Sequence, residues 1–269
     1  VDPLRELTGR YLDLVARPDR NERPFGGYFI ASDSEFAPLG RFVERTVFGS
    51  RFGNDDATMD SEYDPYEAAS YFSVIIDHQS VEPVGVIRRI CPNPYGLKTL
   101  NDMRKIPGWD VSLDEIRAHH GDVRMETTAD VATLAVRREW SAVRGGIVSA
   151  GVYHTMYLGC LMADYKFEVF ALDTRVAETP LMKEVAFKRI CDLPAREYLG
   201  SPSTAPYIAD VEAGLRLAKR GGPIGRMLAF GEGLEEHFSF PPADLTVDGP
   251  TDPTTLEPQG DRVGTGVSV

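Results

Sequence analysis

One strand–helix–strand unit, set among runs that read as hairpins, constrains this 269-residue chain more than any other feature. Thr128–Val136 (TADVATLAV) is rich in strand formers. Residues 147–165 are a long apolar helical stretch that opens after Gly145-Gly146. Residues 167–172 (FEVFAL) are a strand again. A long apolar helix between two strands can carry the chain back over the sheet, so these two strands are expected to be parallel neighbours joined by a crossover. The runs 71–77 and 84–90 are joined by the turn-like residues 78–83 and predict an antiparallel hairpin. A doubly wound sheet would need many crossovers, and this chain offers one clear one. The expected class is therefore α/β in the α+β sense: a mixed, mostly antiparallel sheet with one parallel pair, flanked by helices.

The remaining elements follow from periodicity and punctuation. Residues 3–17 predict an amphipathic helix and 27–31 a short strand. The capping residues Ser32 to Glu35 precede a helix over 36–48. Residues 51–62 are polar and read as a loop. A helical excursion over 97–120 is broken by Pro107-Gly108, and a short helix spans 179–188. Two weaker strands cover 190–198 and 205–211, before helices at 211–220 and 224–237. From 241 onward Pro, Asp, Thr and Gly dominate, which predicts one domain over 1–240 and a disordered tail over 241–269.

Charge and cysteine usage exclude some functions. Lys and Arg total 29 against 41 Asp and Glu, a net charge of −12 that disfavours nucleic acid as a partner. The three cysteines are far apart and suit reduced thiols, and no zinc-ligand spacing occurs, so no metal is expected. No apolar run is long enough for a membrane span, and the charged first ten residues carry no apolar signal region, so a cytoplasmic location is the default expectation.

Glu62-Tyr63-Asp64-Pro65-Tyr66-Glu67 resembles the acidic E-[FY]-D-x-Y-D segment of the autoinducer (acyl-homoserine-lactone) synthases, within the GNAT superfamily of acyltransferases. Arg45 and Phe48 resemble that family's Arg and Phe upstream, with spacing one residue short. Arg88 falls where the family has an arginine. Asp130 to Val136 resembles its E-x-S-R-[FL]-x-V strand, and Ile147-Val148-Ser149 its P-V-S helix start. The likeness runs from about 45 to 211. Three departures, Glu67 for Asp, Asp130 for Glu and Thr133 for Arg, fall on residues tied to the lactone chemistry. An N-acyltransferase with another amine acceptor, such as a long-chain N-acyl amino acid synthase, is the relative this implies.

The resemblance implies a splay between the two parallel strands that admits a pantetheine arm, from acyl-CoA or from an acyl carrier protein, with no permanently bound cofactor. The Leu134 N–H is then the candidate for polarising the thioester carbonyl, and Ala135 and Val136 for pairing with the pantetheine amides. Arg144, Gly145, Gly146, Val148 and Ser149 combine flexible backbone, a cation and a helix start, as a phosphate site requires; an ordinary strand-to-helix turn has the same look. Arg137 and Arg138 stand within reach. Asp130, with Glu126 four residues earlier on one strand face, is the candidate base, or the two are a pairing carboxylate and a solvated one. Arg45, Phe48, Asp64, Glu67 and Arg88 either hold the amine acceptor or form a structural ion-pair network. Tyr153 and Tyr157 share a helix face, and either is a possible acid for the leaving thiolate or a core residue. A small-group acetyltransferase and a catalytically silent acyl-carrier-binding module also fit the sequence.

Overall fold

The computed structural model describes residues 2–15, 22–141 and 146–241. Helix α1 (Pro3–Leu14) starts on an Asp2 side chain that accepts from the Leu4 N–H. Then come β1 (Phe25–Ala31), α2 (Pro38–Phe52) and α3 (Asp56–Tyr63). A 3₁₀ segment, Asp64–Ala69, leads into the hairpin β2 (Ser70–Asp77) and β3 (Glu82–Ile90). Helices α4 (Lys98–Met103) and α5 (Leu113–His120) precede β4 (Thr128–Val136), α6 (Ile147–Met162) and β5 (Phe167–Asp173). The chain continues with α7 (Thr174–Ala177), α8 (Pro180–Lys183), β6 (Phe187–Arg189), β7 (Arg196–Tyr198) and β8 (Ser201–Asp210). Helices α9 (Val211–Arg220) and α10 (Pro223–Phe230) and a short β9 (Phe238–Ser239) complete it.

Among the described residues all nine strands lie in one sheet, ordered β6-β8-β5-β4-β3-β2-β1-β9, with β7 also on β8. β2 and β3 are buried almost throughout because helices cover both faces. One core joins α6, α8 and α10 to the sheet through residues such as Val131, Val148, Met156, Phe170 and Leu228. On the other face α1 and α2 pack through Leu39, Val43, Phe72 and Ala135, and α4 and α5 through Leu97, Ile116 and Val169. Among the described residues no helix is long and apolar enough to cross a membrane.

The mixed sheet and the β4–α6–β5 crossover are as expected, but there is a second parallel pair. β9 returns beside β1, with Phe25 opposite Phe238; two residues are too short a strand for the sequence to announce. Residues 51–62 are not all loop: α3 forms because the Asp55 side chain caps the Thr58 N–H, while only Met59 and Tyr63 are buried, so no apolar stripe marks it. The expected strand over 190–198 is broken, since Cys191 and Asp192 take positive φ of 48° and 54°. The helices expected over 179–188 and 224–237 end earlier, at Lys183 and Phe230; Gly231, at φ 74°, stops the second. Residues 242–269, and with them nearly all of the expected tail, lie outside the described residues.

Candidate active site

β4 and β5 pair only from Thr128/Phe167 to Asp130/Val169 and then separate. Their closed end is clamped from β3. Arg89, 0% exposed, donates to Glu168 on β5 through Nη2 (2.5 Å) and Nε (3.0 Å), to the Tyr71 hydroxyl (2.6 Å) and to the Met156 carbonyl of α6 (2.7 Å). One buried guanidinium thus ties β2, β3, β5 and α6 together just where the strands begin to part.

At the parting point β4 carries a bulge. Arg89 stands opposite Val131 and Arg88 opposite Thr133, which leaves Ala132 as the extra residue. The bulge resets which side chain faces which way. Beyond it Ala135 packs with α2, while Leu134 and Val136 pack toward α6. It also fixes the backbone. The Arg137 N–H donates to the Val84 carbonyl, so the groups of Ala135 point to β3 and those of Leu134 and Val136 point into the gap. Ala135 is therefore not a backbone partner for anything in the gap, contrary to the expectation, whereas Leu134 and Val136 are free to be.

The gap opens on an apolar cavity of about 380 Å³. Its walls come from β4 (Val131 to Val136), β5 (Phe170 to Asp173), α6 (Ser149, Tyr153, Met156), α2 (Val47, Phe48, Phe52) and the α7–α8 region (Val176, Leu181, Met182). Tyr153 reaches it and Tyr157 does not; burial pushes the Tyr153 phenol up to about 12. Asp173 at the rim is held down to about 2, first by its hydrogen bond from Arg175 and also by Ser201. Among the expected phosphate residues, Gly146 takes φ 87° at the helix start and Val148 is fully buried in the first turn. Ser149 lines the cavity. Arg144 and Gly145 lie outside the described residues. Arg137 is committed elsewhere, to Glu82 (3.0 Å) and Glu139 (2.6 Å).

A second, polar cavity of about 260 Å³ adjoins the first, and Tyr63 lines both. Four of the five expected acceptor residues, Arg45, Asp64, Glu67 and Arg88, line this polar cavity, and the fifth, Phe48, lines the apolar one. Arg88 is buried between Glu44 (2.7 Å) and Glu67 (2.5 Å), Arg41 also pairs with Glu67, and Arg45 pairs with Asp60 (2.5 Å). Of the ion pairs expected as one alternative, Arg88–Glu67 forms, whereas Arg45 pairs with Asp60 and Asp56, and Asp64 is in no ion pair among the described residues. Glu44, the other partner of Arg88, was missed. It is 1% exposed and also accepts from the Thr133 hydroxyl (2.5 Å), which links α2 to the strand beyond the bulge. The signal was a carboxylate among Leu39, Gly40 and Val43, the buried positions of α2.

The expected base pair is not assembled. Glu126 lies exposed in a 3₁₀ turn before β4, so the strand spacing that would align it with Asp130 does not apply. Asp130 is fully buried in the last paired position before the strands part and is not among the residues lining either cavity. Its oxygens accept from the Thr99 N–H (2.5 Å) and hydroxyl (2.9 Å), which ties the start of α4 to the sheet. Burial pushes its carboxyl up to about 7 despite those two bonds. Between the ordinary carboxylate range and that value the folded protein keeps a proton that the unfolded chain has released. This group therefore makes stability fall as pH rises through that window, by at most about 1.4 kcal/mol per pH unit. Asp130→Asn cannot ionise and is expected to flatten that slope, which thermal melts from about pH 5 to about pH 8 would record.

No family model matches the sequence, and no curated protein does. Solved structures do. The N-acyl amino acid synthase FeeM from uncultured soil microbes superposes with a TM-score of 0.52 at 13% identity, covering 72% of this chain and 93% of that one. The CoA-dependent acyl-homoserine lactone synthase BjaI, solved with MTA, gives 0.51 at 12% identity, covering 82% and 96%. At such low identity the likeness speaks for the arrangement of the chain, which agrees with the resemblance carried by residues 62–67 and 130–136. With its single crossover, parted strands and bulged β4, this chain has the fold of the N-acyl amino acid and acyl-homoserine lactone synthases.

Proposed function

We propose that the protein transfers an acyl group from a pantetheine thioester, of coenzyme A or an acyl carrier protein, to the nitrogen of a small amine. The observation that carries this reading is the parting of β4 from β5 over an apolar cavity, with the start of α6 beside it. A pantetheine arm in the gap would find unpaired backbone groups at Leu134 and Val136, and its phosphate would meet the first N–H groups of α6 near Gly146, Val148 and Ser149. The Leu134 N–H would polarise the thioester carbonyl. A cavity of about 380 Å³ with mostly apolar walls supports an acyl chain well beyond acetyl. The solved synthase described as CoA-dependent supports a coenzyme A donor.

The acceptor would approach from the polar cavity. Asp64 there is exposed and in no ion pair among the described residues, so it can meet an ammonium group of the acceptor. Tyr153, kept neutral by burial, can return a proton to the departing thiolate. Asp130 takes a positioning role in this scheme, through Thr99 and α4.

Thiol release from medium-chain acyl-CoA, measured with and without a mixture of amino acids, tests the activity. Amine-dependent release with an amide product is the expected result, and binding without any transfer would leave a carrier-binding module. Ser149→Glu places a carboxylate in the first turn of α6, where phosphate would want N–H groups. It is expected to weaken coenzyme A binding by about tenfold or more in calorimetry. Unchanged affinity in the folded variant would remove the phosphate from this helix.

A further inference from the structure

The two cavities share a side chain whose part in the chemistry the motif does not state. Tyr63 closes α3, is 2% exposed, and lines both the apolar and the polar cavity. Its ring is fixed. The Arg88 guanidinium lies over it at 4.5 Å from the ring centroid and the Lys98 ammonium at 5.3 Å. Both cations are themselves pinned, Arg88 by Glu44 and Glu67, and Lys98 by Asp102 (2.5 Å) and Glu62 (2.6 Å). The phenol ends beside the β4 bulge, where its hydroxyl donates to the Ala132 carbonyl over a long 3.4 Å. That is its one hydrogen bond among the described residues, so its lone pairs are unused at the junction of the two cavities.

We infer that Tyr63 is a positioning residue for the incoming amine. Its hydroxyl, held toward the bulge by the Ala132 carbonyl, accepts one N–H of the acceptor and so aims the nitrogen lone pair at a carbonyl carbon held two residues farther along β4. This rests on the acyl-transfer reading above. The balance of the step is unaltered: the C–N bond forms, and the C–S bond breaks with its electron pair going to sulfur. Nitrogen loses one proton and the thiolate gains one. Burial pushes the Tyr63 phenol well above its ordinary value. It therefore stays neutral and works by orientation rather than as a base.

Tyr63→Phe keeps the ring under its two cations and removes only the hydroxyl. The test compares native and variant protein with decanoyl-CoA as donor and a mixture of the common amino acids as acceptors. Three quantities are read: N-decanoyl product by mass spectrometry, thiol released without any amine, and affinity for decanoyl-CoA. The ratio of amide formed to amine-independent thiol release is expected to fall about three- to tenfold, as for one neutral hydrogen bond lost in the reacting complex, with donor affinity unchanged. The ratio also guards against a folding defect, which would lower both rates together. A ratio equal to that of the native protein overturns the role of Tyr63 while leaving the acyl-transfer reading intact. A native protein that binds decanoyl-CoA and acylates none of the amines overturns that reading, and the inference with it.

Discussion

Leu134→Pro is expected to lower amide formation by about 10²–10³-fold while leaving coenzyme A affinity within a few-fold. Proline removes the backbone N–H proposed to polarise the thioester and leaves the carbonyl in place. In an interior strand that change normally costs a ladder bond. Here it does not, because the ladder bonds of β4 to β3 run through Ala135 and Arg137, and the Leu134 N–H faces the gap. The variant therefore separates catalysis from folding better than a side-chain change at the same place. Steady-state rates with decanoyl-CoA, read beside a melting curve, make the measurement. A folded Leu134→Pro protein with native turnover would show that the thioester is polarised elsewhere.

Glu168→Gln is expected to destabilise the protein by about 3–5 kcal/mol, because it leaves the Arg89 guanidinium buried without its counter-charge. Arg89 is 0% and Glu168 2% exposed, so water cannot take over. The remaining partners, the Tyr71 hydroxyl, the Met156 carbonyl and the Cys160 sulfur, are neutral acceptors. For a chain of this size that corresponds to a fall in melting temperature of about 10 °C. A double replacement, Arg89→Met with Glu168→Leu, is expected to recover most of the loss, since two apolar side chains remove both charges from the core. The clamp also fixes where β4 and β5 stop pairing, so the single variant should lose donor affinity at temperatures where it is still folded. Melting curves on the single and double variants, with calorimetric titration of coenzyme A, check both effects. An undisturbed Glu168→Gln protein would mean that the three-residue strand pairing holds the closed end unaided.

The site was partly legible because some of its chemistry is local. Residues 62–67 announce a dense acidic segment, and Arg45, Asp64, Glu67 and Arg88 do meet around one cavity. Glu44, Arg89 and Glu168 were harder to find. Each reads as one charge in an ordinary element, and each acquires its meaning from partners 44 to 89 residues away. Asp130 illustrates the opposite failure. A carboxylate inside an apolar strand does signal burial and a raised pKa, but not what it faces. It occupies the last paired position of β4 on β5 and turns its oxygens to Thr99 at the start of α4, so it lines neither cavity.

The sequence by itself determined the class of fold. Strand and helix periodicities are local, and a long apolar helix between two apolar strands is expected to return over the sheet as a parallel crossover, which β4 and β5 form, whereas the helices between β1 and β2 and between β3 and β4 join antiparallel neighbours. It also determined that β2 and β3 would pair as a hairpin, while their burial on both faces, Arg88 and Arg89 included, came with the helices packed over them. Tertiary structure decided the rest: where the parallel strands separate, which backbone groups of β4 are left unpaired, and which side chain divides the apolar cavity from the polar one. Those depend on one extra residue in a strand and on one buried arginine reaching across it. A pleated strand has a period of two, so a single bulge reverses every side chain beyond it, and no local pattern in TADVATLAV marks where the bulge falls.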